Sequence, residues 1–256
     1  MFSRWRPWAL VGALAVSLVA PGISADSKKE TKRKVIPAQK VDESLDHLDV
    51  FEGIEKGVLD VKMIPKDAMG GNMLIENKGD KPLNVDFPGA FIGKQVLKQF
   101  GGGGQQGGGG GGGGFFSVPA DKVVRVTYRS VCLEHGKAEP TSRMTYRIAK
   151  VEEFSSDPVL TEILGMVSDG KLDPQAGQAA TWHLTDKMSW EQLEAKSIPH
   201  IGRPASPYFS AETLARAKNI HVTAVARVKE REENSGKSAV ASAKNSRATS
   251  ATVKRD

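Results

Sequence analysis

The stretch VRVTYRSVC, residues 124–132, decides how the middle of the chain is read. Val124, Val126, Tyr128, Ser130 and Cys132 fall on one side of an extended chain, and Arg125, Thr127 and Arg129 on the other. A period of two is the signature of a strand with one buried face. The arginines mark the opposite, solvated side.

Upstream, residues 58–64 repeat the pattern, with Leu59, Val61 and Met63 on one face and Asp60 and Lys62 on the other. Residues 72–77 form a short apolar run. The turn Lys78-Gly79-Asp80-Lys81 follows, and then Leu83, Val85 and Phe87 alternate with Asn84 and Asp86. Gly and Asp supply the backbone angles of a tight reversal, so this segment predicts a β-hairpin. Pro82 suits the first position of its second strand. Residues 101–114 are glycine except for Gln105 and Gln106. Glycine loses the most entropy on ordering and brings no side chain to a core, which predicts a mobile loop. Beyond Cys132, residues Met144, Tyr146 and Ile148 suggest one more strand, although 141–153 can also be read as helix.

The texture changes at Ser155. Asp157-Pro158 and Asp173-Pro174 each read as an N-cap followed by proline at the first helical position. Ser189 with Gln192 forms a capping box, stapled by Met188 and Leu193. Ser210 opens a further short helix. Residues 221–228 alternate again, with Val222, Ala224, Ala226 and Val228 on one side, and predict a last strand. Strands followed by helices argue for an α+β fold, mainly β. The expected architecture is an antiparallel immunoglobulin-like β-sandwich over 46–154, carrying the glycine-rich loop 101–114. A cluster of short helices over 155–229 follows it, and both termini are expected to be disordered. The Cys…Trp…Cys signature of true immunoglobulin domains is missing, so strand pattern alone carries the sandwich.

The ends concern location. Arg4 and Arg6 precede an uncharged, largely apolar run from Trp8 to Ala20, which Pro21-Gly22 breaks. Ile23-Ser24-Ala25 then offers a small residue at a cut. Positive, apolar, then small is the order of a secretory signal, and the run is shorter than the roughly 20 residues of a spanning helix. The expectation is a signal peptide over 1–25, cut after Ala25, and a secreted or periplasmic product without a stable membrane span. Residues 26–45 then read as a disordered basic linker and 230–256 as a disordered tail. The single cysteine, Cys132, allows no internal disulfide. The net charge of +6 is unevenly placed, with lysines and arginines clustered in these two segments, which lack the interleaved aromatics that stack on single-stranded nucleic acid. Nucleic acid is therefore not an expected partner.

Chemistry is sparse. The glycine tract runs into Phe115-Phe116 instead of the Gly-Lys-Ser/Thr ending of a phosphate-binding loop. Gly236-Lys237-Ser238 has that ending, but Arg231 stands where the first glycine belongs. Cys132 and His135 lack both the further ligands of a zinc site and an orienting group for cysteine catalysis. Three residues along a strand also put them on opposite faces. His183, beside Trp182 and three residues before Asp186, has no serine in a G-x-S-x-G elbow to serve. Glu152, Glu153, Asp157 and Glu162 form an acidic patch, and glycosidase chemistry requires two carboxylates held across a cleft. The expectation is therefore no catalytic residue, no cofactor and no metal. The protein reads as an exported non-enzymatic domain that binds a protein or cell-surface component, or plays a structural role, at the cell envelope or outside the cell. The alternatives are an enzyme with its site at the strand/helix junction, and a binder of anionic surface polymer through the basic tails.

Overall fold

Strand β9 (Val123–Cys132) is the strand on which the main sheet is assembled. The computed structural model describes residues 33–96, 106–110 and 114–252, all within one unit that starts at Arg33. The expected export signal lies outside the described residues.

On one edge, β9 pairs antiparallel with β4 (Gly70–Asn77), and β4 pairs with β3 (Leu59–Asp67). β3 pairs with β10 (Tyr146–Ala149), β10 with β6 (Phe91–Gln95), and β6 with β7 (Gln106–Gly110). β7 then returns to β9, with Gln106 opposite Cys132 and Gly110 opposite Tyr128. The sheet therefore closes on itself. This replaces the two facing layers expected of a sandwich. Its inner face is filled by Val61, Met63, Met73, Ile75, Phe91, Val124, Tyr128, Tyr146 and Ile148, all buried in one cluster.

The glycine tract was the least legible part of this arrangement. At least residues 106–110 are a strand, hydrogen-bonded on both edges, and not the expected loop. Glycine is poor at forming a strand alone, but two flanking strands supply its pairing, and helix α2 (Pro158–Ser168) lies against it. Glycine at 107–110 allows that close approach.

The hairpin is also reassigned. The turn at 78–81 does not join paired strands. β5 (Leu83–Asp86) leaves for a second sheet, between β2 (His47–Asp49) and β8 (Phe115–Val118). Asn77 braces that turn, with its amide N–H groups on the carbonyls of Lys81 (2.9 Å) and Val118 (3.1 Å) and its oxygen accepting from Gly79 N–H (2.8 Å). The true hairpin is β3–β4, closed where the Asp67 carboxylate accepts from Met69 N–H. Turn residues announce a reversal without naming the partner strand, which explains the error.

Residues 33–45 depart from the linker expected over 26–45. β1 (Val35–Pro37) runs parallel to the start of β9, and Arg33 reaches Glu76 at 2.9 Å and Asp121 at 3.2 Å.

The helices begin where expected. Asp157 caps α2 at Val159 N–H, and Asp173 caps α3 (Pro174–Thr185) at Gln175 and Ala176 N–H. Ser189 and Gln192 close the capping box of α4 (Trp190–Ala195). Among the described residues, α1 (Val50–Glu55) is the α-helix that precedes them. The expected strand at 221–228 is helix, part of α5 (Ala211–Thr252), which also extends through most of the expected tail 230–256. Its buried positions, Leu214, Ala217, Ile220, Ala224 and Val228, follow helical spacing, while Val222 stays exposed. Alanine fits both periods, and the alternation at 222–228 was carried by two alanines. The molecule is thus mixed α and β, with five α-helices among the described residues and curled sheets. Helix α2 joins the layers: Leu160, Leu164 and Val167 pack on Ile92, Val131 and Leu133 of the sheet side, and Ile163 and Met166 on the other helices.

Candidate functional site

The junction between sheet and helices leaves an open cleft of about 450 Å³. One wall is α2, through Thr161, Glu162 and Gly165. The other comes from Phe51 at the start of α1, Pro88 and Gly89 between β5 and β6, and Lys150 after β10. Arg231 of α5 reaches the rim. Two glycines shape the space. A Cβ built on Gly89 or Gly165 meets nothing within 4 Å.

The charges in the cleft are partly committed. The Glu162 side chain, only 13% exposed, is ion-paired with Arg227 at 2.9 Å and with Arg231. Asp49 accepts from the N–H groups of Phe51 and Glu52 as the cap of α1. The Lys150 ammonium lies 5.6 Å from the Phe51 ring centroid. Glu152 is an exposed residue of the lining. The cleft thus offers cations, carboxylates and apolar groups such as Phe51, Pro88 and Val151 close together, a mixture suited to a polypeptide segment.

Of the acidic patch anticipated from the sequence, the cleft gathers Glu152 and Glu162. Glu153 turns away to Lys94 (2.8 Å), which holds its carboxyl below the usual range, and Asp157 caps α2. Two guanidiniums, those of Arg227 and Arg231, balance the Glu162 charge.

His183 and Asp186 do not pair. His183 Nδ1–H donates to the carbonyl of Met188 at 2.7 Å, which fixes the tautomer, and Asp186 accepts from the backbone N–H of His135 at 3.0 Å. His183 stacks on Trp190 with centroids 4.0 Å apart and meets His221 edge-on at 4.9 Å. Burial is the main cause that lowers the His221 pKa below 6.5, followed by His183, with Asp157 opposing. Glu191, Trp190 and Lys218 complete the surroundings, with Lys218 over the Trp190 ring. A depressed folded-state pKa means the unfolded chain takes up the proton more readily. The stability that neutral His221 contributes is therefore complete above about pH 6.5 and lost as pH falls through the folded value. Melting temperature should fall between pH 7 and pH 5, and His221→Gln should flatten that fall.

Cys132 and His135 are likewise separate. Burial, followed by Glu139, pushes the Cys132 thiol up to about 11, so it is protonated near neutral pH. His135 packs edge-on against Trp182 at 4.8 Å.

One polar chain resembles a catalytic relay without being one. Ser117 donates to the Asn84 side-chain oxygen at 2.7 Å, Asn84 reaches His47 at 3.2 Å, and His47 reaches Asp86 at 2.9 Å. An amide between serine and histidine cannot take the serine proton, and Ser117 is buried. The chain satisfies buried groups where β2, β5 and β8 meet.

Among the described residues no three His, Cys, Asp or Glu side chains converge as metal ligands, and no helix is long and apolar enough to cross a membrane. No family model matches the chain, and neither a curated protein nor a solved structure was found to match it.

The cleft leaves little trace in the sequence. Pro88, Gly89 and Gly165 carry no chemical signature, and Phe51 and Arg231 meet them only after the sheet closes. Gly165 alone left a signal, an unforced glycine in the middle of an otherwise good helix.

Proposed function

We propose that the protein is an exported, non-enzymatic binding module, acting at the cell envelope or outside the cell, whose cleft takes a segment of a protein partner. The observation that carries this is the cleft itself. It is open, bounded by side chains of both charges, and widened by two glycines whose side-chain direction is free space. Its size falls in the range of pre-formed ligand sites. The secretory pattern of the first 25 residues supports the location.

Two measurements test the reading. Intact-mass analysis of the exported protein should show a chain beginning at Asp26. A displayed peptide library should yield ligands that combine an apolar residue with charges of both signs. Gly165→Leu should weaken those ligands by roughly tenfold or more by filling the cleft. Stability should hold or rise by up to about 1 kcal/mol, because glycine is the poorer helix former. Ligands that bind Gly165→Leu as well as the parent would refute the cleft as the site.

A further inference from the structure

Strands β11 (Ser197–His200) and β12 (Arg203–Pro207) form a small sheet of their own, joined to neither of the others. The pair is held at its base. Tyr208 N–H donates to the Lys196 carbonyl at 2.9 Å, and the Lys196 ammonium lies over the rings of Tyr208 (4.7 Å) and Trp182 (5.4 Å), 2.9 Å from His135 Nε2. Across the strands His200 Nε2 meets Ser206 Oγ at 2.8 Å. At the tip, Gly202 takes φ +71°, and Ile201 beside it is fully exposed. Ile198 is also exposed.

Three features narrow what this finger can touch. Pro199, Pro204 and Pro207 remove N–H donors from its edges, so it is a poor template for an added strand. Its apolar tip is one or two side chains, far less than the roughly 800 Å² per partner that a stable protein interface buries. Finally, no Asp or Glu occurs from Ala195 to Ala211, and Arg203 and His200 stand beside the tip while Lys196 is committed at the base. An aliphatic tip flanked by Arg203 and His200, with no carboxylate in either strand, matches the border between phosphate head groups and acyl chains, where a small apolar insertion and a cationic contact add.

We infer that the β11–β12 finger docks on an anionic phospholipid surface, with Ile201 inserted and Arg203 and His200 against the phosphates. This contact is independent of the cleft and survives if the cleft reading fails. The test is co-sedimentation of the exported chain with vesicles of phosphatidylcholine alone or mixed with phosphatidylglycerol. Binding is expected on the mixed vesicles, weaker at high salt, and at least roughly tenfold lower for Ile201→Asp. Arg203→Glu should lower it several-fold. Both positions are exposed, so each variant should keep the parent's melting temperature, which checks folding. Failure to bind mixed vesicles overturns the inference. So does equal binding by Ile201→Asp, which would assign the contact to the basic segments at the chain ends. Equal binding to both vesicle types would overturn the electrostatic half and with it the proposed surface.

Discussion

Gln178→Leu should destabilise the protein by about 2–6 kcal/mol, because it orphans two buried backbone groups at about 1–3 kcal/mol each. Gln178 is 1% exposed on α3. Its side-chain oxygen accepts from Cys132 N–H at 2.8 Å, and its amide nitrogen donates to the Cys132 carbonyl at 2.8 Å. On this edge of β9 the strand partner ends where Gly70 faces Arg129, and Ser130 N–H already turns to the Met69 carbonyl. The glutamine amide therefore takes the place of the next strand residue and ties the helices to the sheet. Leucine keeps the volume and supplies neither partner. Domains of ordinary stability hold only about 5–15 kcal/mol in all, so the variant should lie near the folding threshold. A urea titration measures the loss, and the melting temperature should fall by roughly 5–20 °C. A change below about 1 kcal/mol would show that the tether is dispensable.

Gln178 also marks the limit of what the sequence disclosed. Strand alternation at 124–132 and 58–64, and every N-cap from Asp157 to Ser210, were readable because they are local: period and capping need no distant partner. The closure of the sheet was not local. It depends on β7, whose glycines carry no apolar pattern, and on pairing that turn residues do not encode. Asn77 and Gln178 look like ordinary polar residues until the strands whose ends they complete are in place. The error at 221–228 has a different origin. Ala224 and Ala226 are silent about periodicity, and only the absence of any breaker between Ser210 and Gly236 favoured helix. For the acidic patch, which members face the cleft depends on the path of η1 (Val151–Glu153), the single 3₁₀ turn among the described residues.

Trp182→Ala should cost about 3–5 kcal/mol, the usual penalty for emptying a large aromatic site. Trp182 is 6% exposed, and its ring meets His135 at 4.8 Å, Tyr208 at 5.9 Å and Phe209 at 6.0 Å. It therefore joins three segments that are far apart in sequence: the end of β9, helix α3 and the entry to α5. Lys196 is the fourth, since its ammonium rests over the same ring. Removing the indole should thus do one thing that emptying an equally buried aliphatic position would not. Leu193, fully buried in the same cluster, provides the comparison. Both Trp182→Ala and Leu193→Ala should lower global stability by several kcal/mol, with Leu193 at about 2–5 kcal/mol. Only Trp182→Ala should in addition speed amide hydrogen exchange at the base of the β11–β12 pair under native conditions, because it removes one of the two rings beneath Lys196. Trp182→Phe keeps a ring under the ammonium and should restore slow exchange there. Equal protection of the finger in all three variants would mean that the backbone bond between Tyr208 and Lys196 holds it unaided. Faster exchange in Trp182→Ala alone would show that the aromatic support keeps the finger rigid.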